Sequence, residues 1–286
     1  MKVADKWKDY TVIATGDGYK LEDWGGIKLL RPDPQVIWPS RMDMSDYKGL
    51  NAKYFRSESG GGEWQYLKDT PKEWVISYGE MKFKIKPLGF KHTGLFPEQA
   101  VNWERMISLI KNAGRNISVL NLFAYTGGAT VACLSAGASV CHVDASKGMV
   151  ERAGENVRLS GLGNANVRFI VDDCKKFVPR EIRRGRKYDA VIMDPPSYGR
   201  GPNGEMWKIE SELYPFVELC AEVLSDTPLF FLINSYTTGL QPGVLENILK
   251  LTMKDRRGSV EAYEVGLKTS EGINLPCGAG GIFIYD

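Results

Sequence analysis

Two runs of mostly apolar residues, 117–123 and 138–143, flank a stretch of small residues at 129–136. Each run has the length and apolar content of a strand that is buried on both faces, as strands of parallel sheets are. The small residues between them predict a helix that packs closely against these strands. Together the three segments predict a βαβ unit, the repeat from which parallel sheets are built.

The same alternation continues towards the end of the chain. A helix is predicted at 146–160, closed by Gly161, and another at 175–184. Further apolar runs predict strands at 166–171, 188–193, 229–237 and 281–285. Strands that alternate with helices predict an α/β fold with a Rossmann-like, doubly wound and mostly parallel sheet.

Residues 1–90 have a different pattern, in which glycine and proline separate short aromatic and β-branched runs. These runs predict strands at 10–14, 26–30, 35–38, 73–76 and 82–85. We therefore expect a small antiparallel β domain at 1–90, with substrate recognition as a candidate role, ahead of a doubly wound domain at 91–286. Five of the seven tryptophans lie in the first domain. Their rings could stack on nucleobases, but filling a thin core is the expected use.

The turn after the first doubly wound strand, residues 124–128, contains two glycines, which permit positive φ and let a ligand approach the backbone. The next strand ends on Asp144, where a carboxylate can bind the ribose hydroxyls of an adenosine cofactor. The G-x-G-x-x-G pattern that cradles a pyrophosphate is absent, since Ala124 and Thr126 stand where further glycines belong. The pattern therefore favours a cofactor without phosphates, S-adenosylmethionine, over NAD.

Acidic residues at strand ends have two interpretations. Asp144 can contact the cofactor together with Ala145 and Ser146, or it can be the N-cap of the helix that these residues begin. Asp172 and Asp173 follow the third strand, where a carboxylate can accept a hydrogen bond from the adenine amine, and they too precede a helix. We expect cofactor contact in both places, from Asp173 in preference to Asp172.

Residues 91–103 join the two predicted domains and look too specific for a linker. Phe96 and Pro97 predict the start of a helix, with proline in its first turn. Gln99 and Asn102 lie three residues apart and can share one helical face. Ligand contact and an ordinary capped helix are equally good interpretations of this pattern.

The motif Asp194-Pro195-Pro196-Ser197-Tyr198 follows the fourth strand. Its two prolines fix the backbone, so the Asp194 carboxylate and nearby carbonyls are held rigidly. Such groups accept hydrogen bonds from a base amine and orient its lone pair towards a methyl donor. This motif is therefore the predicted catalytic element, with a purely structural turn as the alternative. Residues 199–208 predict a glycine-rich loop beside it, able to close over a substrate.

Composition narrows the function classes. Lysine and arginine number 37 against 35 aspartate and glutamate, so the net charge of +2 makes no global case for nucleic acid and any RNA contact must be local. Five scattered cysteines without C-x-x-C, and only two histidines, argue against zinc and disulfides. With no secretory leader and no run of membrane-spanning length, we expect a cytoplasmic protein without metal or membrane partner. Nothing indicates its oligomeric state.

The basic run 180–187 invites an RNA interpretation. It precedes the fourth strand, however, and so lies opposite the strand carboxyl ends, where ligands bind. A solvated face is the expected role.

Three motifs, at 93–99, 121–127 and 194–198, resemble those of class I S-adenosylmethionine-dependent methyltransferases. More narrowly, they resemble the bacterial 23S rRNA methyltransferases that act on cytosine C5 or guanine N7. The resemblance extends from about residue 90 to the C-terminus. It implies that Asp144 binds ribose and Asp173 adenine. It also implies cofactor contacts from Phe96, Gln99, Asn121, Phe123, Ala124, Tyr125, Thr126 and Gly127.

Two departures from these families affect the predicted substrate. No separate RNA-binding module of the pseudouridine-synthase-associated type is evident in residues 1–90. The cytosine-C5 enzymes carry a nucleophilic cysteine just after the fifth strand, where this chain has Ser235, Tyr236 and Thr237. Hydroxyls are poor nucleophiles near neutral pH without a base. Cys277 is the other candidate thiol, and a buried, inert role is expected for it.

We therefore expect direct in-line transfer to a base nitrogen of RNA, with rRNA as the candidate substrate. A cytosine-C5 enzyme that uses Cys277 remains an alternative. A methyltransferase of a small molecule or protein would share every cofactor residue. A non-catalytic cofactor-binding subunit is disfavoured by the intact Asp194-Pro195-Pro196.

Overall fold

The computed structural model describes residues 1–57, 61–200 and 206–286, which form two compact units. The first unit comprises Met1–Ala100 and Gly266–Cys277, and the second comprises Val101–Val265 and Gly278–Asp286. This division differs from the expected boundary at residue 90, because the connecting segment and a C-terminal stretch group with the N-terminal residues.

The first unit is built from short strands. They are β1 (Lys2–Ala4), β2 (Tyr10–Gly16), β3 (Tyr19–Trp24), β4 (Ile27–Pro32), β5 (Leu50–Arg56), β6 (Gly62–Tyr66), β7 (Trp74–Tyr78) and β8 (Met81–Ile85). Strands β2 to β6 form one sheet in chain order, and β7 pairs with β8. All these pairs are antiparallel except β4 with β5, which is parallel. The expected antiparallel β region is therefore present, with one parallel exception.

The predicted strand at 35–38 is wrong. Its flanking prolines, Pro34 and Pro39, favour a turn, and its carbonyls accept hydrogen bonds from the β2–β3 turn instead of a neighbouring strand. Four strands of this unit, β1, β3, β5 and β6, were not predicted. Strand β3 was missed because the fully buried Glu22 interrupts its apolar pattern. Strands β5 and β6 were missed because their many polar residues obscure the alternation of apolar and polar positions that predicts a strand.

The tryptophans of the first unit serve its core. Trp24 is fully buried. Four other indole N–H groups donate within this unit, from Trp7 to the Pro97 carbonyl, Trp38 to Thr15 Oγ1, Trp64 to the Leu88 carbonyl and Trp74 to the Trp24 carbonyl, at 2.7–3.1 Å. These contacts favour core filling over base stacking.

The second unit follows the predicted alternation. Its helices are α1 (Ala100–Asn112), α2 (Gly128–Ser135), α3 (Lys147–Leu159), α4 (Cys174–Arg183), α5 (Ile209–Ala221) and α6 (Pro242–Thr252). Its strands are β9 (Ser118–Leu122), β10 (Ser139–Asp144), β11 (Val167–Val171), β12 (Ala190–Met193), β13 (Tyr198–Arg200), β14 (Met206–Lys208), β15 (Phe230–Ser235), β16 (Ser259–Lys268) and β17 (Asn274–Ile284). The last two strands also contribute residues to the first unit.

The main sheet has the strand order β1-β16-β17-β15-β12-β9-β10-β11. Strands β15, β12, β9, β10 and β11 are parallel, and β17 runs antiparallel to β15. The chain therefore forms a Rossmann-like doubly wound fold, as predicted. A large apolar core covers one face of this sheet and includes residues of α4, α5 and α6.

Candidate active site

The strand order reverses between β9 and β12, since the chain adds β10 and β11 on one side of β9 and then β12 and β15 on the other. Ligands of doubly wound folds bind at such a switch point, outside the carboxyl ends of the strands. Backbone hydrogen bonds join these ends, from Asp194 N to Leu122 O (3.4 Å), Ala124 N to Val143 O (3.1 Å) and Asp172 N to Asp144 O (3.0 Å). The predicted residues that follow these four strands thus meet at one end of the sheet.

The loop between β9 and α2 has three residues with a left-handed backbone. They are Phe123 (φ 52°), Tyr125 (φ 49°) and Gly127 (φ 82°). Non-glycine residues seldom adopt this conformation, which costs on the order of 1–3 kcal/mol each and is concentrated at functional sites. The second glycine of this turn, Gly128, has no positive φ. Gly128 begins α2, where an added Cβ would lie 2.7 Å from the Trp103 ring.

Neighbouring elements hold this strained loop. Asp144 Oδ2 accepts the Tyr125 amide at 2.8 Å, and Asn156 Nδ2 in α3 donates to the Thr126 carbonyl at 2.8 Å. Asn156 and Thr126 are both buried. A Cβ on Gly127 would lie 2.9 Å from Ala153, so α3 packs directly on the loop. The loop conformation is therefore imposed by β10 and α3.

Asp144 ends β10 half-buried, and its Oδ1 accepts the Ser146 amide at 2.8 Å. Burial raises the pKa of Asp144, and the hydrogen bonds from the Ser146 and Tyr125 amides oppose that rise. Ser146, not Asp144, is the N-cap of α3, so the capping alternative for Asp144 is wrong. Ala145 and Ser146 are exposed, which places this acid beside an open rim.

Asn121 points into the interior. Its Nδ2 donates to Thr130 Oγ1 at 2.9 Å, and that hydroxyl lies 2.9 Å from His142 Nδ1. Burial lowers the pKa of His142 to about 3, so the ring is neutral and shares one hydrogen bond with the Thr130 hydroxyl through Nδ1. Among the described residues, His142 Nε2 has no hydrogen-bond partner. The Asn121 amide nitrogen is thus committed to joining β9, α2 and β10.

The Phe123 side chain belongs to an aromatic cluster with Trp207 and Phe216. Its ring centroid lies 5.2 Å from that of Trp207 and 5.8 Å from that of Phe216. The Phe123 amide points to Cys174 Sγ at 3.3 Å. Its ring therefore anchors the strained loop to α5 and β14.

The two acids after β11 have distinct partners. Asp172 forms a salt bridge with Arg180 and accepts the Asp173 amide at 2.9 Å. Asp173 is the N-cap of α4 and accepts the Lys176 amide at 3.2 Å. The interpretation of Asp173 as a helix N-cap is thus confirmed. The preference for Asp173 as the adenine contact stays a prediction.

The predicted catalytic motif is fixed from three sides. Asp194 is half-buried and Pro195 buried, while Pro196, Ser197 and Tyr198 are exposed. Trp207 Nε1 donates to the Pro196 carbonyl at 2.6 Å, and the Ile209 amide donates to the Ser197 carbonyl at 3.1 Å. Ser197 Oγ lies 2.6 Å from Thr237 Oγ1, just beyond β15. The motif therefore has a defined shape.

Part of the predicted loop 199–208 forms a strand pair instead. Tyr198–Arg200 and Met206–Lys208 are the antiparallel strands β13 and β14. The exposed Tyr198 hydroxyl lies 3.6 Å from Met206 Sδ. Residues 201–205 of the predicted loop lie outside the described residues.

Phe96 and Gln99 belong to the first unit. Phe96 precedes a 3₁₀ turn, Pro97–Gln99, and the α-helix begins at Ala100, later than predicted. Gln99 is buried. Asn102, on α1 in the second unit, donates to Asn234 Oδ1 at 2.8 Å and accepts from the Tyr263 hydroxyl at 2.6 Å, a structural role. Cofactor contact by Phe96 and Gln99 stays a prediction.

Sequence reasoning did not foresee the hydrogen bonds by which three residues shape the site: Asn156, Trp207 and Thr237. Asn156 carried a usable signal, because it lies on the same helical face as Val150, Ala153 and Val157 and is the polar member of an apolar stripe. Trp207 and Thr237 act through contacts distant in sequence, which no local pattern reveals.

The family described as S-adenosylmethionine-dependent methyltransferase matches residues 44–209, more than half of the chain. The chain belongs to this methyltransferase family. Its cofactor is therefore S-adenosylmethionine, as the turn and strand-end acid predicted.

One curated relative of this methyltransferase is the ribosomal RNA large subunit methyltransferase K/L of Shewanella frigidimarina. It is 31% identical over 210 residues, which is 73% of this chain and 28% of the relative. Relatives of the same name from Shewanella baltica are 29% identical over 202 residues, 70% of this chain and 27% of theirs. The chain thus spans less than a third of the length of these relatives.

Solved methyltransferases share the architecture. The S-adenosylmethionine-dependent methyltransferase of Agrobacterium tumefaciens has a TM-score of 0.92 and 32% identity, over 98% of this chain and 91% of that one. SMU.776, solved in complex with SAH, has a TM-score of 0.77 and 17% identity, over 98% and 76% of the two chains. The second likeness shows the fold alone.

None of the helices in the described part of the chain is both long and apolar enough to span a bilayer. No group of three or more His, Cys, Asp and Glu side chains among the described residues is placed to hold a metal ion.

Proposed function

We propose that this methyltransferase modifies a base nitrogen of ribosomal RNA by direct in-line transfer. The relative from Shewanella frigidimarina, named for large-subunit rRNA, supports RNA as the substrate class. The observation that carries the nitrogen acceptor is the position after β15. There the buried Ser235 and the Thr237 hydroxyl that contacts Ser197 stand where a C5 mechanism requires a thiolate.

The cysteines support the same conclusion. All five are free, and burial raises the pKa of every one of these thiols, that of Cys133 to about 12. Burial is the main cause of the raised pKa of Cys277. The negative charges of Glu98, Asp33 and Glu22 raise this pKa further, and the positive charge of Lys20 opposes them. A reactive cysteine needs a lowered pKa. Nitrogen acceptors need no enzyme nucleophile.

We propose that Asp144 holds the ribose hydroxyls and that the backbone of the loop 123–127 holds the methionine end of the cofactor. The residues fit this group. A half-buried carboxylate at a strand end suits a diol, and the exposed Ala145 and Ser146 leave its rim open. When bound, S-adenosylmethionine supplies a methyl group on a sulfonium, activated for displacement.

Asp194 and the carbonyls beside it would act on the acceptor base. The hydrogen bonds from Trp207 and Ile209 leave this motif little freedom to adjust, so its acceptors are preorganised. Accepting a hydrogen bond from a base amine would orient the nitrogen lone pair along the line of displacement. Alignment of this kind can supply ~7–11 kcal/mol of the barrier reduction.

The first unit is the candidate for substrate recognition, because the cofactor residues of the doubly wound fold lie in the second. An rRNA substrate would place the enzyme in the cytoplasm. Phe96, Gln99 and either Asp172 or Asp173 complete the proposed cofactor contacts.

The test is methyl transfer by the purified protein to deproteinised rRNA from a strain lacking the gene. A labelled methyl group on a purine or pyrimidine nitrogen, located by nuclease digestion and mass spectrometry, is the expected result. rRNA from the parent strain is the control, since it should already be methylated at that nucleotide. Label in C5-methylcytosine, or label transferred only to protein or small molecules in cell extract, would contradict the proposal.

A further inference from the structure

Positive charge is concentrated in one part of the second unit. Residues 158–187 contain nine lysines and arginines against three acidic residues, a surplus of six. The rest of the chain carries 28 basic and 32 acidic residues, a deficit of four. A net charge near zero therefore conceals a strongly basic region, made of the end of α3, strand β11, helix α4 and the turn after it.

We call the outer part of this region the α4 basic surface, defined by Arg168, Arg180, Arg183, Arg184 and Arg186. Strand β11 is the last strand of the sheet, and Arg168 extends from it. Helix α4 buries Cys174, Phe177, Val178 and Glu181 against the core. Arg180 and Arg183 lie on this helix, Arg184 is its C-cap and Arg186 follows it, and Arg183, Arg184 and Arg186 are exposed.

A buried carboxylate organises the α4 basic surface. Glu181 is 1% exposed, accepts the Tyr188 hydroxyl at 2.6 Å and Arg184 Nη1 at 2.9 Å, and lies 3.8 Å from Arg168 Nη1. Burial alone would raise the pKa of Glu181, but the hydrogen bonds from Tyr188 and Arg184 and the charge of Arg168 lower it. This acid stays ionised and fixes two guanidinium groups at once.

The fixed arginines still face solvent. The side chains of Arg168 and Arg184 are 48% and 57% exposed. One carboxylate cannot neutralise both, and each planar guanidinium keeps further N–H donors for another anion. Within the described part of the chain, the arginines of this surface that pair with an acid are Arg168, Arg180 and Arg184, and neither Arg183 nor Arg186 has an acidic side chain as partner. A merely solvated face needs no buried carboxylate, which is costly to desolvate.

The direction of α4 links this surface to the candidate active site. The helix begins after Asp173, at the carboxyl end of the sheet, and runs to Arg183 near the opposite end. Ten residues at the helical rise span about 15 Å, roughly four phosphates of one duplex strand at about 3.4 Å each. The basic run 180–187, for which a solvated face was expected, is thus continuous through α4 with the carboxyl end of the sheet.

We propose that the α4 basic surface binds the phosphate backbone of the RNA substrate and positions it relative to the carboxyl end of the sheet. The proposal rests on the proposed RNA methylation and names the surface that holds the substrate. Arginine forks match phosphate oxygens bidentately, and phosphate contacts set the register of a nucleic acid without reading its sequence. Charges on an outer strand can also prevent unwanted strand pairing, which the experiment distinguishes.

The test compares R183E/R186E with K254E/R257E, a matched control that makes the same charge change at exposed residues after α6. Binding of a fluorescein-labelled 23S rRNA transcript is followed by anisotropy at several KCl concentrations. We expect affinity to fall ~10-fold or more for R183E/R186E, and the slope of log K against log salt to decrease by roughly one to two. The control should stay within about threefold.

Calorimetry with S-adenosylmethionine and thermal melting establish that each variant folds and binds the cofactor. Should R183E/R186E fold poorly, the milder R183Q/R186Q replaces it, with K254Q/R257Q as control. Equal loss in test and control variants would overturn the proposal, as would unchanged RNA affinity. If R183E/R186E aggregates on dilution but keeps its RNA affinity, these arginines instead prevent unwanted pairing of the outer strand.

Two further arms separate this proposal from the function on which it rests. Loss of binding to phosphatidylserine vesicles without loss of RNA binding would overturn the RNA surface in favour of a lipid one. Suppose that the wild-type protein transfers no methyl group to rRNA, and that R183E/R186E loses transcript binding while the control variant keeps it. The proposed function then fails and the proposed surface stands. If rRNA methylation proceeds and both variants bind alike, the surface alone fails.

Discussion

Asp144 illustrates how one side chain can serve both the protein and its cofactor. Its two oxygens accept the amides of Tyr125 and Ser146, so it shapes the strained loop, and in the proposed role it would also bind the ribose hydroxyls. A substitution therefore tests two roles, and the choice of variant must separate them.

We expect Asp144→Ala to weaken S-adenosylmethionine binding by about 1.5–3 kcal/mol, roughly 10- to 150-fold in Kd, because a charged acceptor is lost. Asp144→Asn keeps one oxygen acceptor for a loop amide and should lose less. Isothermal calorimetry measures both, with melting temperature as the control for folding. Wild-type affinity in Asp144→Ala would remove Asp144 from the cofactor contacts.

Substitution of Asp194 should affect the rate of methyl transfer, whereas substitution of Asp144 should affect cofactor binding. If Asp194 orients the acceptor base, Asp194→Ala leaves cofactor Kd within a few fold and lowers the single-turnover rate of methyl transfer by ~10²-fold or more. A structural Asp194 predicts the opposite pattern, with melting temperature and cofactor binding lowered together. Measuring all three quantities on one preparation decides between them.

At the residue scale, strand-end acids were predictable and their partners were not. Asp144, Asp172, Asp173 and Asp194 follow apolar runs, and parallel strands bring such positions together by topology alone. Which oxygen caps a helix or pairs with an arginine depends on side chains distant in sequence. Asp173 is the example, since its capping of α4 depends on where that helix begins.

At the element scale, the apolar parallel strands agreed with prediction and the polar strands of the first unit did not. Strand β3 carries a buried ion pair in place of an apolar pattern, and 35–38 has strand composition but turn contacts. The pair β13–β14 is also an element that composition concealed, because its glycine-rich sequence predicts a loop. The Trp207 indole of this pair nevertheless donates to the Pro196 carbonyl and so helps to hold the proposed catalytic motif.

Trp207→Phe removes the hydrogen bond from Trp207 to the Pro196 carbonyl while keeping an aromatic ring. The phenyl ring retains packing against Phe123 and Phe216 but cannot donate to the Pro196 carbonyl. Leaving this carbonyl unpaired should cost about 1–3 kcal/mol, seen as a roughly 5- to 150-fold slower single turnover with cofactor Kd nearly unchanged. Trp38→Phe is the control, since it removes an indole donor to Thr15 in the first unit. Equal rate losses in the two variants would mean that Trp207 acts on stability only.

At the scale of the whole molecule, the first unit depends on a buried ionic cluster. Glu22 is fully buried and accepts hydrogen bonds from Arg31 Nε at 2.6 Å, Arg31 Nη2 at 2.7 Å and the Tyr10 hydroxyl at 2.7 Å. Burial raises the pKa of Glu22, but the charges of Arg31 and Lys20 and these hydrogen bonds hold it at about 2, against 4.5 for an ordinary glutamate. Breaking such a pair leaves a buried charge unpaired.

The lowered pKa sets the sign of a pH dependence. Glu22 stabilises the folded state fully above about pH 4.5, and this contribution, on the order of 3 kcal/mol, is lost as pH falls towards 2. Urea unfolding followed by tryptophan fluorescence reports mainly on this unit, which holds five of seven tryptophans. Glu22→Gln should be less stable at neutral pH, and its difference from wild type should shrink below pH 4.5. Glu73→Gln, at a partly exposed ion pair with Lys84, should match wild type throughout.

The last prediction is that methyl transfer proceeds without a covalent adduct between the enzyme and the RNA. RNA that contains 5-fluorocytosine traps enzymes whose thiolate adds to C6, because the fluorine blocks release of the adduct. Every thiol of this chain has a raised pKa, and Cys277 Sγ donates to the Leu275 carbonyl at 3.4 Å, so we expect no adduct. Purified enzyme, S-adenosylmethionine and fluorinated rRNA transcript are incubated and resolved on a denaturing gel, with unsubstituted transcript as control. A shifted band that disappears in Cys277→Ala would establish the C5 mechanism and end the nitrogen-acceptor proposal. Methylation of the fluorinated transcript at the normal rate, without a shifted band, is the outcome expected from the raised thiol pKa values and from the hydroxyls after β15.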